Sequence, residues 1–269
     1  MNRLSHSLET PQPHGHFVQL YDNDITLLAS NVARYLAAGL KRAECALIIA
    51  TPEHNEKFRL GLAELGVNPA QAIADSKLVV LDTVQTLGEF MIDGQPDWAR
   101  FEKVIAAVRS RFRVSSPTGM RAYGEMVGVL WTSGQYTAAV RLEEFWNKLL
   151  GDGGFTLFCS YPIDIFAKDF QVSGVDALLC DHTHLIPTGI DGKVENAIDR
   201  AIDARMGAAA SDLKTRIDDK ARINDAGVRA SWAVMPRAEG LILWLRSNMP
   251  REAEDILNLA CQYYRAALI

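Results

Sequence analysis

Between His16 and Tyr161, short runs of aliphatic, β-branched or aromatic residues alternate with longer stretches whose apolar positions recur every three or four residues. That alternation marks βαβ units on a mostly parallel sheet: a strand buried on both faces reads as a continuous apolar run, and its crossover helix carries a single apolar stripe. Five strands follow, at His16–Tyr21, Ala46–Thr51, Lys77–Leu81, Met120–Met126 and Phe155–Ser160. Asp24 is a suitable N-cap for a first helix in which Leu27, Leu28, Val32, Tyr35, Leu36 and Leu40 share a face. A second helix, Pro52 to Leu65, has proline in its first turn, and Asp97 caps a third that runs through Phe101, Val104, Ile105, Val108 and Phe112. A fourth, Gly134 to Leu150, stops at the glycine-rich stretch Gly151–Gly154, which reads as a turn.

Beyond Pro187-Thr188-Gly189 the pattern changes to an alanine-rich, alternately charged helix over Lys193 to Asn224, with Val194, Ile198, Ile202, Met206, Leu213 and Ile217 near one stripe. Without a sheet beneath it, such a stripe is expected to be buried by a second copy of the chain or by a partner helix, which predicts a homodimer. Two shorter helices, Glu239 to Ser247 and Asn248 to Leu268, complete a segment read as helical throughout. The expected organisation is a disordered N-terminal segment (1–15), an α/β domain (16–189) and a helical output and dimerisation segment (190–269).

With 48% hydrophobic and 23% charged residues among 269, the chain has enough apolar surface to bury a sizeable core. Its net charge of −5 offers no basic footprint for nucleic acid and no polybasic patch for a membrane surface. No apolar run reaches the length needed to cross a bilayer. Cys45, Cys159, Cys180 and Cys261 stand far apart without a CxxC pair, and the polar start Met1 to Gly15 is not a signal-peptide pattern. Reduced thiols and a cytoplasmic setting are the expectation.

The first β-to-α turn is where many nucleotide-binding α/β proteins cradle a phosphate on glycine amides and a helix N-terminus. Here it reads Tyr21-Asp22-Asn23-Asp24-Ile25-Thr26, with neither glycine nor lysine, and its two aspartates repel a triphosphate. Neither a nucleotide nor a metal cofactor is expected. Cys180-Asp181-His182-Thr183-His184 invites a separate look, because in an extended segment Cys180, His182 and His184 share a face and could meet one metal. No fourth ligand is marked in the sequence, and paired histidines more often satisfy backbone carbonyls.

Several segments then match a known pattern in order and spacing. They are His16-Phe-Val-Gln-Leu-Tyr21, Tyr35 to Glu44 leading into Ala46 to His54, Arg121-Ala-Tyr-Gly-Glu-Met126 with Leu130-Trp131, Leu142-Glu143, Trp146-Asn147, Cys159-Ser-Tyr-Pro162 and His182-Thr-His184. Across His16 to Pro187 the chain resembles the methanogen/methylotroph DcmR sensory domain (MEDS) family. The resemblance implies a RecA/KaiC-like fold without its Walker motif. It also implies sensing of a small organic molecule, proposed for the family to be a hydrocarbon derivative, in proteins that signal through a kinase or a DNA-binding regulator. The chain shows no kinase catalytic domain and no basic helix-turn-helix, so its output is expected to pass through the C-terminal helices to a partner protein.

The matching positions fall at the C-terminal ends of the strands, where open α/β sheets bind ligands. His16, Tyr21, Asp22, His54, Glu125, Trp131, Cys159 and Tyr161 are therefore the candidate ligand-binding residues, with no catalytic residue assigned. Each has a plainer reading beside it. Tyr21, Trp131 and Trp146 suit a core or rim, His16 a satisfied strand imidazole, His54 a helix first turn and Cys159 a buried thiol. Glu125, closing an apolar strand, must be paired or functional. Glu143, within Leu142-Glu143-Glu144, reads as a solvated or salt-bridged helix residue. Two alternatives stay open: a nucleotide-binding KaiC-like relative with an unconventional loop, and a small-molecule enzyme using Glu125 or His54 as acid/base, although no GxSxG nucleophile motif is present.

Overall fold

The computed structural model describes residues 8–22, 24–112, 119–180, 182–189, 192–215 and 235–268. Contacts divide the chain into two compact units, one of residues 1–19 and 23–162, the other of residues 20–22 and 163–269. The first unit is built from β1 (His16–Tyr21, whose last two residues group with the second unit), α1 (Thr26–Lys41), β2 (Cys45–Ala50), α2 (Pro52–Glu64), α3 (Pro69–Ala74), β3 (Leu78–Asp82) and α4 (Thr83–Phe90). A small antiparallel hairpin, β4 (Met91–Ile92) and β5 (Gln95–Pro96), leads to α5 (Trp98–Arg111), β6 (Met120–Gly124), α6 (Met126–Thr132), α7 (Tyr136–Gly151) and β7 (Phe155–Pro162). The second unit adds α8 (Val172–Cys180), β8 (His184–Ile186), α9 (Lys193–Met206), α10 (Arg237–Asn248) and α11 (Ala253–Ala266).

The main sheet has six strands in the order β3-β2-β6-β7-β1-β8, and β2 pairs parallel with β3 and β6 while β6 pairs parallel with β7. This is the mostly parallel, helix-flanked α/β sheet read from the sequence. All six residues of β2 are buried, as its uninterrupted apolar run requires. Because side chains alternate along a strand, β7 serves two different layers. Phe158 packs edge-on to Tyr35 of α1, whereas Tyr161 meets Trp131 of α6 and donates to Glu143 of α7. The face carrying Arg121, Tyr123, Phe158 and Ser160 is thus covered by α1 and α2, and the face carrying Cys159 and Tyr161 by α6 and α7.

Boundaries moved where a polar side chain claimed a backbone group. Helix α1 starts at Thr26 with Ile25 at the N-cap position, and the Asp24 carboxylate, one residue earlier, accepts from the Thr26 amide at 2.9 Å. Asp97 caps α5 as expected, accepting from Arg100 N at 3.0 Å. Strand β6 ends at Gly124, and its expected last residues instead open α6, a helix the sequence reading did not place. Gly134, at φ 73°, makes the turn between those two helices. Within the segment expected to be disordered, Leu8 is buried and Glu9 pairs with Arg34 at 2.9 Å, while residues 1–7 lie outside the described residues.

The long C-terminal helix is shorter than its charge pattern predicted. Helix α9 ends at Met206, where Gly207 takes φ 51° and a turn of 3-10 helix follows; the rest of the predicted helix beyond Thr215 lies outside the described residues. Its stripe of Val194, Ala197, Ile198, Ala201 and Ile202 is buried, and α9 lies against α11 of the same chain. The stripe, expected to be buried by a second copy of the chain or by a partner helix, is packed instead against a helix of the same chain. The closing helices are anchored by Arg246, which is nearly buried and donates to Glu254 at 3.1 Å and to the carbonyls of Ile165, Phe166 and Phe170.

Glu239, in the first turn of α10, is fully buried and accepts from the amide and hydroxyl of Thr188 at 2.8 and 2.6 Å. Burial, aided by nearby Glu195, pushes its carboxyl up to about 6 from 4.5. The folded chain therefore holds a proton that the unfolded chain releases, so this group's contribution is complete below pH 4.5 and is lost as pH rises through about 6. The loss is on the order of 2 kcal/mol for a shift of this size. In urea unfolding across that window, Glu239→Gln is expected to flatten the decline; an unchanged slope would show that Glu239 titrates as it does in water.

Candidate functional site

Two polar clusters occupy the first unit, one on each face of the sheet. The first forms where β2 and β6 give way to their helices. Thr51, leaving β2, caps α2 by accepting from His54 N at 3.5 Å, and Pro52 fits the first turn. Glu125 turns the chain from β6 into α6 with its side chain 2% exposed. One carboxylate oxygen accepts from the Thr51 amide, and the other accepts from His54 Nδ1 at 2.5 Å and from the Tyr123 hydroxyl at 3.3 Å. Tyr123 also exchanges a 2.7 Å hydrogen bond with Ser160 Oγ. A continuous chain Ser160–Tyr123–Glu125–His54 thus runs from the buried sheet to a His54 ring that is 15% exposed. The expectation that Glu125 is paired is met; its three donors tie the ends of β2 and β6 together.

The second cluster lies under α7. His16 opens β1, Cys159 and Tyr161 come from β7, and Glu143 and Asn147 come from one turn of α7. His16, Glu143, Cys159 and Tyr161 are each at most 1% exposed. His16 Nδ1 lies 2.8 Å from Asn147 Oδ1, and Nε2 lies 3.4 Å from both Cys159 Sγ and Glu143 Oε2. Cys159 Sγ is 3.9 Å from Glu143 Oε2, and Tyr161 donates to Glu143 Oε1 at 2.6 Å. Burial, reinforced by the Glu143 charge, pushes the Cys159 thiol well up, so it is a protonated thiol in this setting.

Glu143, read from the sequence as a solvated or salt-bridged helix residue, is buried with His16 Nε2 3.4 Å from its Oε2, so the solvated alternative is corrected. The signal was available: Ala139, Leu142, Trp146, Leu149 and Leu150 form the buried stripe of α7, and Glu143 falls at helical spacing inside it. The acidic neighbour Glu144, one residue on, is exposed and disguised the pattern. Trp146 is core, 1% exposed and edge-on to Phe101 at 4.9 Å. Trp131 is half-buried and stacks edge-on against both Tyr161 and the exposed Tyr136, at 5.6 and 4.7 Å.

The eight candidates therefore do not form one first-unit pocket. His54 joins Glu125, His16 joins Cys159, and Tyr161 joins Trp131, but the alternation of Cys159, Ser160 and Tyr161 sends the two polar groups to opposite faces. Tyr21, half-buried, and Asp22, exposed, group with the second unit. In that unit Cys180 is the last residue of α8, so Cys180, His182 and His184 are not alternate positions of one extended segment, and the geometry suggested for them is corrected. His182 is buried with Nδ1 2.8 Å from Leu178 O, and His184 Nδ1 lies 2.9 Å from Thr183 Oγ1.

Among the described residues no helix is long and apolar enough to cross a membrane. A family model described as MEDS, the methanogen/methylotroph DcmR sensory domain, matches residues 15–183. The match takes in both polar clusters and runs from the residue before β1 to the one before β8. None of the curated proteins compared with the chain matches it.

Proposed function

The chain belongs to the MEDS family of sensory domains, and from that premise we propose that it is a non-catalytic signal-transduction sensor. It binds a small organic ligand in its α/β unit and passes occupancy through its C-terminal helices to a partner protein, a kinase or regulator. The family match over residues 15–183 carries this reading.

Three features support it. At the start of α1 the Thr26 amide is already taken by the Asp24 carboxylate, whose acidity is increased first by the Thr26 side chain and then by that amide, so a negative charge stands where a phosphate would need a free donor. Glu125 has its oxygens engaged by Thr51, His54 and Tyr123, an arrangement that holds loops in place. Half-buried Trp131 and exposed Tyr136, stacked edge-on beside the buried Tyr161, supply an apolar, aromatic surface suited to a small hydrocarbon derivative.

Thermal-shift titration of the full chain with short-chain alcohols, aldehydes, amines and halogenated hydrocarbons tests it, with mass-spectrometric analysis of each ligand afterwards. A saturable rise in Tm with one class, the ligand recovered unchanged and no response to magnesium-ATP, is the expected result. Conversion of the ligand, a rise in Tm with hydrolysis of ATP, or a flat response to the whole panel would overturn it.

A further inference from the structure

We propose that His16, Glu143 and Cys159 form a binding site for a divalent metal ion of the zinc type, built into the core of the α/β unit. Each offers one ligand atom, and the three atoms lie mutually close: 3.4 Å between His16 Nε2 and Cys159 Sγ, 3.4 Å between His16 Nε2 and Glu143 Oε2, and 3.9 Å between Cys159 Sγ and Glu143 Oε2. The His16–Glu143 separation is long for a charge-assisted hydrogen bond of a nitrogen on a carboxylate, which closes to about 2.7–2.9 Å, while the two sulfur separations are within reach of a thiol hydrogen bond. All three also suit a coordination polyhedron. Metal–ligand bonds of about 2.0–2.3 Å at tetrahedral angles set ligand atoms about 3.3–3.8 Å apart.

The surrounding contacts orient each ligand as a metal site requires. Asn147 Oδ1 accepts from His16 Nδ1 at 2.8 Å, which puts the ring proton on Nδ1 and turns the Nε2 lone pair toward Cys159 and Glu143. Tyr161 donates to Glu143 Oε1 at 2.6 Å and so leaves Oε2 as the ligating oxygen. Charge balances as well: a dication, the Glu143 carboxylate, the Cys159 thiolate and a neutral His16 sum to zero, the condition under which ions are tolerated in a buried site. On binding, the metal–sulfur bond forms, the Cys159 S–H bond breaks and the proton leaves to solvent, so uptake weakens as pH falls. A thiolate, an imidazole and a carboxylate together match zinc or cobalt(II) rather than calcium or magnesium.

The site stands independently of the sensor reading, since a chain that binds no organic ligand can still carry the ion. The full chain, expressed in cobalt-supplemented medium and desalted, is analysed by elemental mass spectrometry and ultraviolet absorption. The expected result is stoichiometric cobalt with a thiolate-to-cobalt charge-transfer band. That band disappears in Cys159→Ser and persists in Cys45→Ser and Cys261→Ser. Glu143→Gln, which keeps the shape of the side chain, is expected to bind zinc at least 10-fold more weakly in competition with a chelating dye; this reading stands even where Cys159→Ser does not fold. Absence of metal from the wild-type chain, a band that survives Cys159→Ser, or zinc affinity unchanged by Glu143→Gln would each overturn the proposal.

Discussion

Arg121→Met is expected to lower the unfolding free energy by about 3–5 kcal/mol, because it removes one partner of a buried, charged hydrogen-bond network. Arg121 is 1% exposed in the middle of β6. Its guanidinium meets the Glu44 carboxylate through Nε and Nη2 at 2.7 and 3.1 Å, and it donates to the carbonyls of Leu8, Tyr35 and Glu9 at 2.9, 2.8 and 3.0 Å. It also lies 5.2 Å from the centre of the Tyr35 ring. Methionine restores much of the volume and none of the donors, so three carbonyls and a carboxylate lose their partner at once. The effect is readable as a lower urea midpoint with an unchanged m-value. The double variant Arg121→Met with Glu44→Leu is expected to recover part of the loss, since the unpaired acid is then gone. A single-variant cost below about 1 kcal/mol would mean that Glu44 and the carbonyls find water readily, and that the arginine packs rather than binds.

Glu125→Ala is the second large effect, a loss of about 2–4 kcal/mol, from stripping a buried carboxylate off three donors. The Thr51 amide, His54 Nδ1 and the Tyr123 hydroxyl all lean on it. The loss is local as well as global: the first turn of α2 is pinned to the end of β6 through this side chain. Amide hydrogen exchange at Thr51 to Asn55 is expected to accelerate more than exchange in β2 itself. Glu125→Gln keeps an acceptor for Thr51 and is expected to cost less than half as much. Equal exchange rates in wild type and Glu125→Ala would show that the turn is held by the Thr51 cap and Pro52 alone.

The two clusters differ in how plainly they were written in the chain. Glu125 stood out because an acid directly after the apolar β6 run has to find partners, whichever they prove to be. Glu143 was hidden by Glu144: one exposed acid beside another, on a helix with many charges, looks solvated until its place in the α7 stripe is counted. His16, Cys159 and Tyr161 were nominated individually, and their order in sequence contains nothing about Asn147 lying under His16. The Cys180-to-His184 segment shows the opposite failure. Its spacing suggested a shared face only on the assumption of an extended chain, and α8 continues through Cys180.

By itself, the sequence determined the α/β class, the apolar strands and the missing phosphate loop, because each rests on local periodicity or on residue type at a turn, and the family through its resemblance over several ordered segments. Only the tertiary structure decided which residues share a site. Alternation along β7 separates Cys159 and Tyr161 from Ser160 by the thickness of the sheet, and helix α11 packs against α9, whose stripe a second chain or a partner helix was expected to bury. Both outcomes depend on what packs opposite a residue, and that partner lies far away along the chain.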